Sequence, residues 1–374
     1  MAIGLDKGED NLLKLSLQFS APKSGDTGSG SQQFTNTLVT TAQCNSFDSG
    51  INLINSYISK QVNLSHAKVI VFSEELASSG ISKYISTLMN NIEIRPDCKI
   101  VICKTTAEDF LNNSSSNLET LSARYYEQVI DSSENTGFTS AITLNSFYSA
   151  YKSSTSQPIG ILGNIKTANL SKTSEDESYA DADSNYIAGQ MPIRSKTNIE
   201  FVGLAVFNED KLVGELNGIN SVCHLLCTNE FKNSTISIPS PFNQGEIMDI
   251  FIQSDKSNNI DVSILNGSPY INLTVYLLSY VDSMEYGLDL TSSENVSLIE
   301  EYASSYLKSK LLDYLYSTSK EFHADIADFG KYSAVNYLTV ADWEKLDWKR
   351  IYSDSFFNVD VKIKVKNGNL LVRN

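Results

Sequence analysis

The hydrophobic pattern at the start of the chain predicts strands. The largely apolar stretch Ala2–Asp6 predicts a strand, the residues Asp6–Asn11 indicate a tight turn, and Leu12–Phe19 predicts a returning strand. A Gly- and Ser-rich stretch, residues 21–33, then leads into a third predicted strand over residues 34–44. Because the first strand begins directly after Met1, we expect further residues to precede it in the natural chain.

The next unit has the pattern of a strand, a helix and a second strand. Ala67–Phe72 and Lys99–Lys104 are short, continuous apolar runs, which are typical of strands buried on both faces of a sheet. Between them Ser73 is a candidate helix N-cap, and apolar residues recur every three or four positions from Ala77 to Ile92. The pattern predicts one helix, and a parallel pair of strands joined by a right-handed crossover.

The second half of the chain adds a hairpin, several strands and a long helix. The hairpin is predicted over residues 199–216, and the strands over residues 247–253, 259–265 and 271–281. Helical spacing extends over Ser292–Glu321, and the chain ends in a clean alternation around an Asn367-Gly368 turn, which predicts a terminal hairpin.

Residues 165–198 are acidic and polar, and they lack apolar periodicity, so we expect a linker or a long loop. This segment divides the chain into three expected domains. They are an N-terminal α/β domain over 1–164, a middle hairpin and helix domain over 199–245, and a C-terminal domain with the long helix over 246–374. The predicted fold class is α+β, a mixed α/β body whose sheets are flanked by helices.

Composition argues against several classes of protein. The chain has 374 residues, of which 41% are hydrophobic and 20% charged, so it can form folded cores. Its formal net charge of −15 argues against nucleic acid as a partner and against electrostatic docking on anionic lipid. No apolar run approaches the ~20 residues that span a bilayer. Five cysteines without framework spacing argue against a disulfide-rich secreted domain.

The motifs that suggest a metal lack the remaining ligands. Cys223 and Cys227 lie four residues apart around His224, but zinc needs four ligands and no second Cys or His pair lies nearby in the sequence. A helix with small buried thiols is the favoured interpretation. The acidic segment 181–192 begins like a calcium loop but lacks the Gly and Glu at its sixth and twelfth positions. We therefore expect no metal.

Catalytic patterns are also absent from the sequence. The turn after Ala67–Phe72, where α/β enzymes bind phosphates, has no Gly-x-Gly and no Lys, and it places Glu74 at the start of a helix. The sequence contains no Gly-x-Ser-x-Gly nucleophile elbow. We expect a protein without enzymatic activity or cofactor. His66 is interpreted as fixing the entry to the strand by a hydrogen bond, and Trp343 and Trp348 as core and docking anchors.

Five stretches taken in order carry a family resemblance. They are "AIGLDKGED", "NLSHAKVIVFSEELASSGI", "RPDCKIVICKTTAEDFL", "FVGLAVFNEDKLVGELN" and "DWEKLDWKRIYSDSFFNVDVKIKVKNGNL". Together with the long helix they resemble the Ger(x)C family, the C-subunit lipoproteins of spore germinant receptors, over nearly the whole chain. The resemblance implies that the matched residues define the fold rather than contact a ligand: Asn63, His66, Glu74, Gly203, Phe207, Gly214, Trp343 and Trp348.

The resemblance also implies a location and partners. Family members carry a signal peptide and a lipidated cysteine, here expected upstream of Ala2, which anchors a soluble body on the outer face of the spore inner membrane. Such a subunit works with a polytopic A subunit and with a membrane B subunit that is similar to amino-acid transporters. The sequence itself contains no lipobox.

Three hypotheses about function follow. The first is a non-catalytic, lipid-anchored C subunit of a nutrient germinant receptor, which supports germination through protein–protein contacts with the A and B subunits. The second is an extracytoplasmic solute-binding protein for a small nutrient, with a cleft between domains. A hydrolase with an unrecognised site is the third, and it ranks last.

Overall fold

A computed structural model describes most of the chain. The described residues are 1–21, 36–114, 122–132, 135–166, 185–193, 198–243, 245–283 and 292–366. They form two β-sheets with helices packed against them. Among these residues, no helix combines the length and the apolar character that crossing a membrane requires.

The first sheet has eight strands in the order β3-β2-β1-β4-β5-β6-β7-β8. Their bounds are Ala2–Lys7 (β1), Leu13–Ala21 (β2), Asn36–Cys44 (β3), Val69–Ser73 (β4), Lys99–Cys103 (β5), Ile159–Ile165 (β6), Ile199–Asn208 (β7) and Lys211–Leu216 (β8). The central strands β1, β4, β5 and β6 are parallel, as the apolar runs predicted for β4 and β5. We call the edge of the sheet at which these four strands begin the strand-start edge.

Both faces of the first sheet are covered, which explains the continuous apolar runs. Ile70 and Phe72 of β4 face a core on one side of the sheet. Val69 and Val71 face a core on the other side, and this second core continues into the second sheet. The helices of this part of the chain are Phe47–Tyr57 (α1), Glu74–Ser79 (α2), Ser82–Asn90 (α3), Ala107–Asn112 (α4), Ser122–Ser132 (α5) and Leu144–Lys152 (α6).

The single helix predicted after Ser73 is wrong, because the structure has two helices there. The chain breaks at Gly80, whose φ of 108° is outside the helical range. The backbone carbonyl of Asp210, in the turn between β7 and β8, then accepts a hydrogen bond from the Ile81 amide at 3.0 Å. Ile92, expected on the apolar stripe of that helix, is fully exposed in the turn that follows α3.

The second sheet contains β9 to β13, with β12 as its long central strand. The bounds are Asn233–Pro239 (β9), Ile247–Ser254 (β10), Asn259–Leu265 (β11), Ser268–Ser283 (β12) and Phe356–Val365 (β13). Strands β10 and β11 pair with β12 in antiparallel fashion, whereas β13 pairs with it in parallel. The second strand of the predicted terminal hairpin lies outside the described residues.

The second half of the chain also contains five helices among its described residues. They are Gly218–Thr228 (α7), Ser293–Tyr316 (α8), Gly330–Ala334 (α9), Val340–Glu344 (α10) and Trp348–Ile351 (α11). The long predicted helix corresponds to α8 followed by a π-helical turn over Ser317–Glu321. Its buried stripe, which includes Ile299, Leu307, Leu311 and Leu315, packs on the second sheet and on α7.

The first sheet extends across the segment that separates the first two expected domains. Strand β7 pairs with β6 in antiparallel fashion, and β8 pairs with β7, so both hairpin strands belong to the first sheet. Most of the expected acidic linker, residues 167–184 and 194–197, lies outside the described residues. The division into three domains stays a prediction.

Candidate functional site

The segment from Phe322 to Tyr352 docks on the strand-start edge of the first sheet, and we call this contact the junction. The amide of Gln157, just before β6, donates to the Asp325 carbonyl at 2.8 Å. The Gln157 side chain in turn accepts from the amide of Glu209, in the β7–β8 turn, at 2.8 Å. Thr155 adds a hydrogen bond from Oγ1 to Asp328 Oδ1 at 2.6 Å. The junction therefore ties the two halves of the chain together through polar contacts.

The carboxylate of Asp325 lies at the centre of the junction and is only 2% exposed. Its Oδ1 accepts from the Phe329 amide at 3.1 Å. Its Oδ2 accepts from the Gly330 amide and from Trp348 Nε1, both at 2.9 Å. These bonds satisfy the first amides of α9 and fix the Trp348 ring, which is how a buried carboxylate normally survives in a core.

Burial raises the pKa of Asp325 from 3.8 to about 7, against the lowering effect of its three hydrogen-bond donors. Because this pKa is higher in the folded chain, the group favours folding most below about pH 4, and that contribution is lost as the pH rises through about 7.

We expect the difference in free energy of unfolding between wild type and Asp325→Asn to grow by roughly 2 kcal/mol between pH 8 and pH 5. Urea unfolding at both pH values measures it, and a pH-independent difference would contradict the assignment.

Both tryptophans singled out in the sequence lie in the junction. Trp343 Nε1 donates to Ser154 Oγ at 2.9 Å, so this ring joins α10 to the residues before β6. The two indole rings are 5.8 Å apart between centroids, and Trp348 continues the row to Tyr352 at 6.0 Å. Both tryptophans are at most 5% exposed. Both rings are therefore buried in the junction, with no open aromatic cage between them, and their role as docking anchors stays a prediction.

Gly214 also lies at the junction, whereas Gly203 and Phe207 lie within the first sheet. A Cβ at Gly214 would overlap the ring of Phe322, so the missing side chain permits that ring to cover β8. Gly203 has a φ of 93°, and a Cβ there would overlap the carbonyl oxygen of Leu216. Phe207 is fully buried and packs edge-to-face on Phe147 at 5.0 Å.

The remaining predicted residues lie at opposite edges of the first sheet. Asn63 caps a short 3-10 helix before β4 through a 2.9 Å bond from the Ser65 amide. His66 is exposed, and its backbone carbonyl accepts from the Met1 amino group at 3.1 Å. Glu74 is exposed at the first position of α2, where β4 ends. These three residues and the junction therefore do not form one site.

The Cys-His-x-x-Cys stretch forms part of α7, as the helical interpretation predicts. Burial lowers the pKa of His224 to about 4 and raises that of both Cys223 and Cys227. His224 Nδ1 is hydrogen-bonded to the Tyr314 hydroxyl at 3.0 Å. No cluster of three metal-ligating side chains occurs within the described ranges. The stretch is thus a neutral, buried contact between α7 and α8.

Two clefts lie beside α7, and the first of them adjoins the junction. One has a volume of about 360 Å³ and is lined by residues from α6, α7 and the junction, among them Ser153, Gln157, His224 and Asp328. The other has a volume of about 430 Å³ and lies between the residues around Thr139 and the end of α7. Glu230 lines both clefts.

The sequence did not single out Asp325, because its burial depends on Trp348 and Gln157, which are distant along the chain.

Comparison with known proteins gives the same assignment for both halves of the chain. A family model described as a spore germination protein N-terminal domain matches residues 1–165. A second model, described as spore germination B3/GerAC like, C-terminal, matches residues 202–368. The protein named "Putative spore germination protein YfkR" of Bacillus subtilis (strain 168) is 19% identical over 325 residues, which cover 86% of this chain and 76% of that protein.

A solved structure, described as the crystal structure of the GerBC protein, has a similar fold. The TM-score is 0.54 at 14% identity, and the match covers 98% of this chain and 97% of that chain. The ordered stretches noted in the sequence, the two matched family models and the shared fold agree over nearly the whole length. The chain therefore belongs to the Ger(x)C family, the C-subunit family of spore germinant receptors.

Proposed function

We propose that the protein is the non-catalytic, lipid-anchored C subunit of a nutrient germinant receptor. The observation that carries the proposal is the match of two consecutive spore germination family models, which together cover both halves of the chain. In this role the protein supports the triggering of germination through contacts with the membrane A and B subunits. A lipid on a cysteine upstream of Ala2 holds it at the outer face of the spore inner membrane.

The chemistry of the junction supports a binding role rather than catalysis. The carboxylate of Asp325 accepts hydrogen bonds from three donors within the chain, and His224 is hydrogen-bonded to Tyr314. Both groups are at most 3% exposed, and each is already hydrogen-bonded within the chain. A subunit that acts through protein contacts needs a body whose halves are tied together in this way, because the surfaces that bind its partners must keep a fixed relative position.

A test of the assembly uses spore membranes. An affinity-tagged version of the full-length protein, expressed from its own gene, is expected to fractionate with the inner membrane and to co-purify with A and B subunits after mild crosslinking. Replacing the lipidated cysteine with alanine should release the protein from the membrane fraction. A tagged protein that remains in the membrane but brings no A or B subunit would overturn the assignment of partners.

Solute binding is the second candidate, and the cleft of about 360 Å³ next to His224 is the observation that favours it. The cleft is large enough for a small nutrient, and its hydroxyl and amide groups could fix the orientation of one. Isothermal titration of the purified chain with amino acids and sugars distinguishes the two functions. Tight one-to-one binding, weakened by a Ser153→Phe substitution that fills the cleft, would favour the second.

A further inference from the structure

The five most exposed large apolar side chains lie in three short segments of the chain. The exposed fractions are 84% for Tyr57, 100% for Ile92, 80% for Val335, 100% for Leu338 and 71% for Val340. No other large hydrophobic side chain within the described residues exceeds 53% exposure. Single exposed apolar residues are common on protein surfaces, but a group that shares one side of the molecule indicates a contact surface.

Tyr57 and Ile92 lie near the strand-start edge of the first sheet. Tyr57 ends α1, and the neighbouring Asn55 accepts a hydrogen bond from the Val62 amide at 2.7 Å. Ile92 is next to Glu93, whose carboxylate accepts from the Leu64 amide at 3.1 Å. Residues 62–64 lie a few positions before β4, and the Met1 amino group contacts the carbonyl of His66 in the same region. Both exposed side chains therefore lie close to the start of β1.

The other three side chains belong to the loop between α9 and α10 and to the first residue of α10, and this segment is held at the same edge. We call residues Val335–Val340 the apolar loop. It is attached on one side through Asp328, which contacts Thr155, and on the other through Trp343, which contacts Ser154. Ser154 and Thr155 lie a few residues before β6, one of the four strands that define the strand-start edge.

The charge pattern indicates that the apolar loop contacts lipid rather than water. Residues 332–341 contain no charged side chain, although the chain as a whole carries a formal charge of −15. Lys331 precedes this stretch and Asp342 follows it, and both are paired within the chain, Lys331 with Asp328 and Asp342 with Lys345. An uncharged apolar tip whose neighbouring charges are already paired can enter the headgroup region of a bilayer without burying an unpaired charge.

We propose that the strand-start edge rests on a lipid bilayer, with Tyr57, Ile92 and the apolar loop inserted at the headgroup level. A protein partner requires a contiguous, complementary surface of about 800 Å² on each side, which separate tips do not offer. A bilayer accepts several separate tips at once. The inference rests on the proposed function for the anchor, since a lipid attached upstream of Met1 would hold this same edge at the membrane.

The test places an environment-sensitive probe at single positions of the tethered protein. The five native cysteines are buried, so a fluorophore such as NBD reacts with an introduced cysteine. Leu338→Cys and Ile92→Cys report on the proposed surface. Ile193→Cys is the control, because Ile193 is 48% exposed and follows Met191, which is held at the opposite edge by Glu200. An N-terminal His-tag binds each protein to phosphatidylcholine vesicles that contain a nickel-chelating lipid.

Tethering is expected to shift the emission of the probes at 338 and 92 to the blue and to protect them from iodide, while the probe at 193 stays unchanged. Replacing phosphatidylcholine with phosphatidylglycerol should not strengthen the effect, because the contact is apolar. In a Val340→Cys protein, Leu338→Asp should abolish the shift. Probes at 338 and 92 that stay quenched on the vesicle would overturn the inference, as would a shift that appears without lipid at high protein concentration. These outcomes are independent of whether the protein co-purifies with A and B subunits, so this inference and the proposed function can fail separately.

Discussion

Trp348→Ala is expected to lower the free energy of unfolding by about 3–5 kcal/mol, the usual cost of removing a buried large aromatic side chain. Trp348 is 2% exposed, packs between the rings of Trp343 and Tyr352, and donates from Nε1 to Asp325. The substitution therefore opens a cavity and removes one donor from a buried carboxylate. Urea unfolding followed by circular dichroism measures the loss.

Trp348→Phe separates the two contributions. Phenylalanine keeps most of the packing against Trp343 and Tyr352 but cannot donate to Asp325, so a loss of about 1–3 kcal/mol is expected, the usual cost of removing one partner of a buried hydrogen bond. The pKa of Asp325 should also rise further in this variant, because a lowering donor is lost. If Trp348→Ala unfolded at the wild-type urea concentration, the junction would not contribute to stability in the way described.

Gly203→Ala is expected to destabilise the chain by about 3 kcal/mol or more, since it combines backbone strain with a steric overlap. The φ of 93° is unfavourable for any side chain, and the new Cβ would overlap the Leu216 carbonyl oxygen on the paired strand β8. Strand β8 would have to move away from β7, which would also disturb the contact between Gly214 and Phe322.

Gly245→Ala is the matched control for this substitution. Gly245 has a φ of 90° but no atom within 4 Å of the position of a Cβ, so only the strain of about 1 kcal/mol remains. Thermal unfolding of both variants distinguishes strain from overlap. Equal losses in the two variants would show that the close approach of β7 and β8 at Gly203 is unimportant.

Strands were predictable from the sequence where apolar residues either alternate or run without interruption. The β4–β5 parallel pair is such a case, because both faces of the sheet are buried and the runs Val69–Ser73 and Lys99–Cys103 contain almost no polar residue. The long helix α8 was predictable for a similar reason, since its buried residues, from Ile299 to Leu315, keep helical spacing over about four turns.

Features that depend on distant residues were not predictable. The break at Gly80 is stabilised by Asp210, which is more than a hundred residues away along the chain. The central role of Asp325 depends on Trp348 and on Gln157, and nothing in the local sequence indicates that this carboxylate is buried. The membership of β7 and β8 in the first sheet likewise depends on pairing across residues 166–198, which have no strand pattern.

The central claim, that this chain is a working subunit of a germinant receptor, is tested most directly in spores. The native gene is deleted, and dipicolinate release is followed after nutrient addition, beside a strain complemented with the wild-type gene and one complemented with the anchor cysteine replaced by alanine. The account predicts that the deletion abolishes or strongly slows release for at least one nutrient, that the wild-type gene restores it, and that the anchor variant does not. Normal release from the deletion strain with every nutrient tried would contradict it.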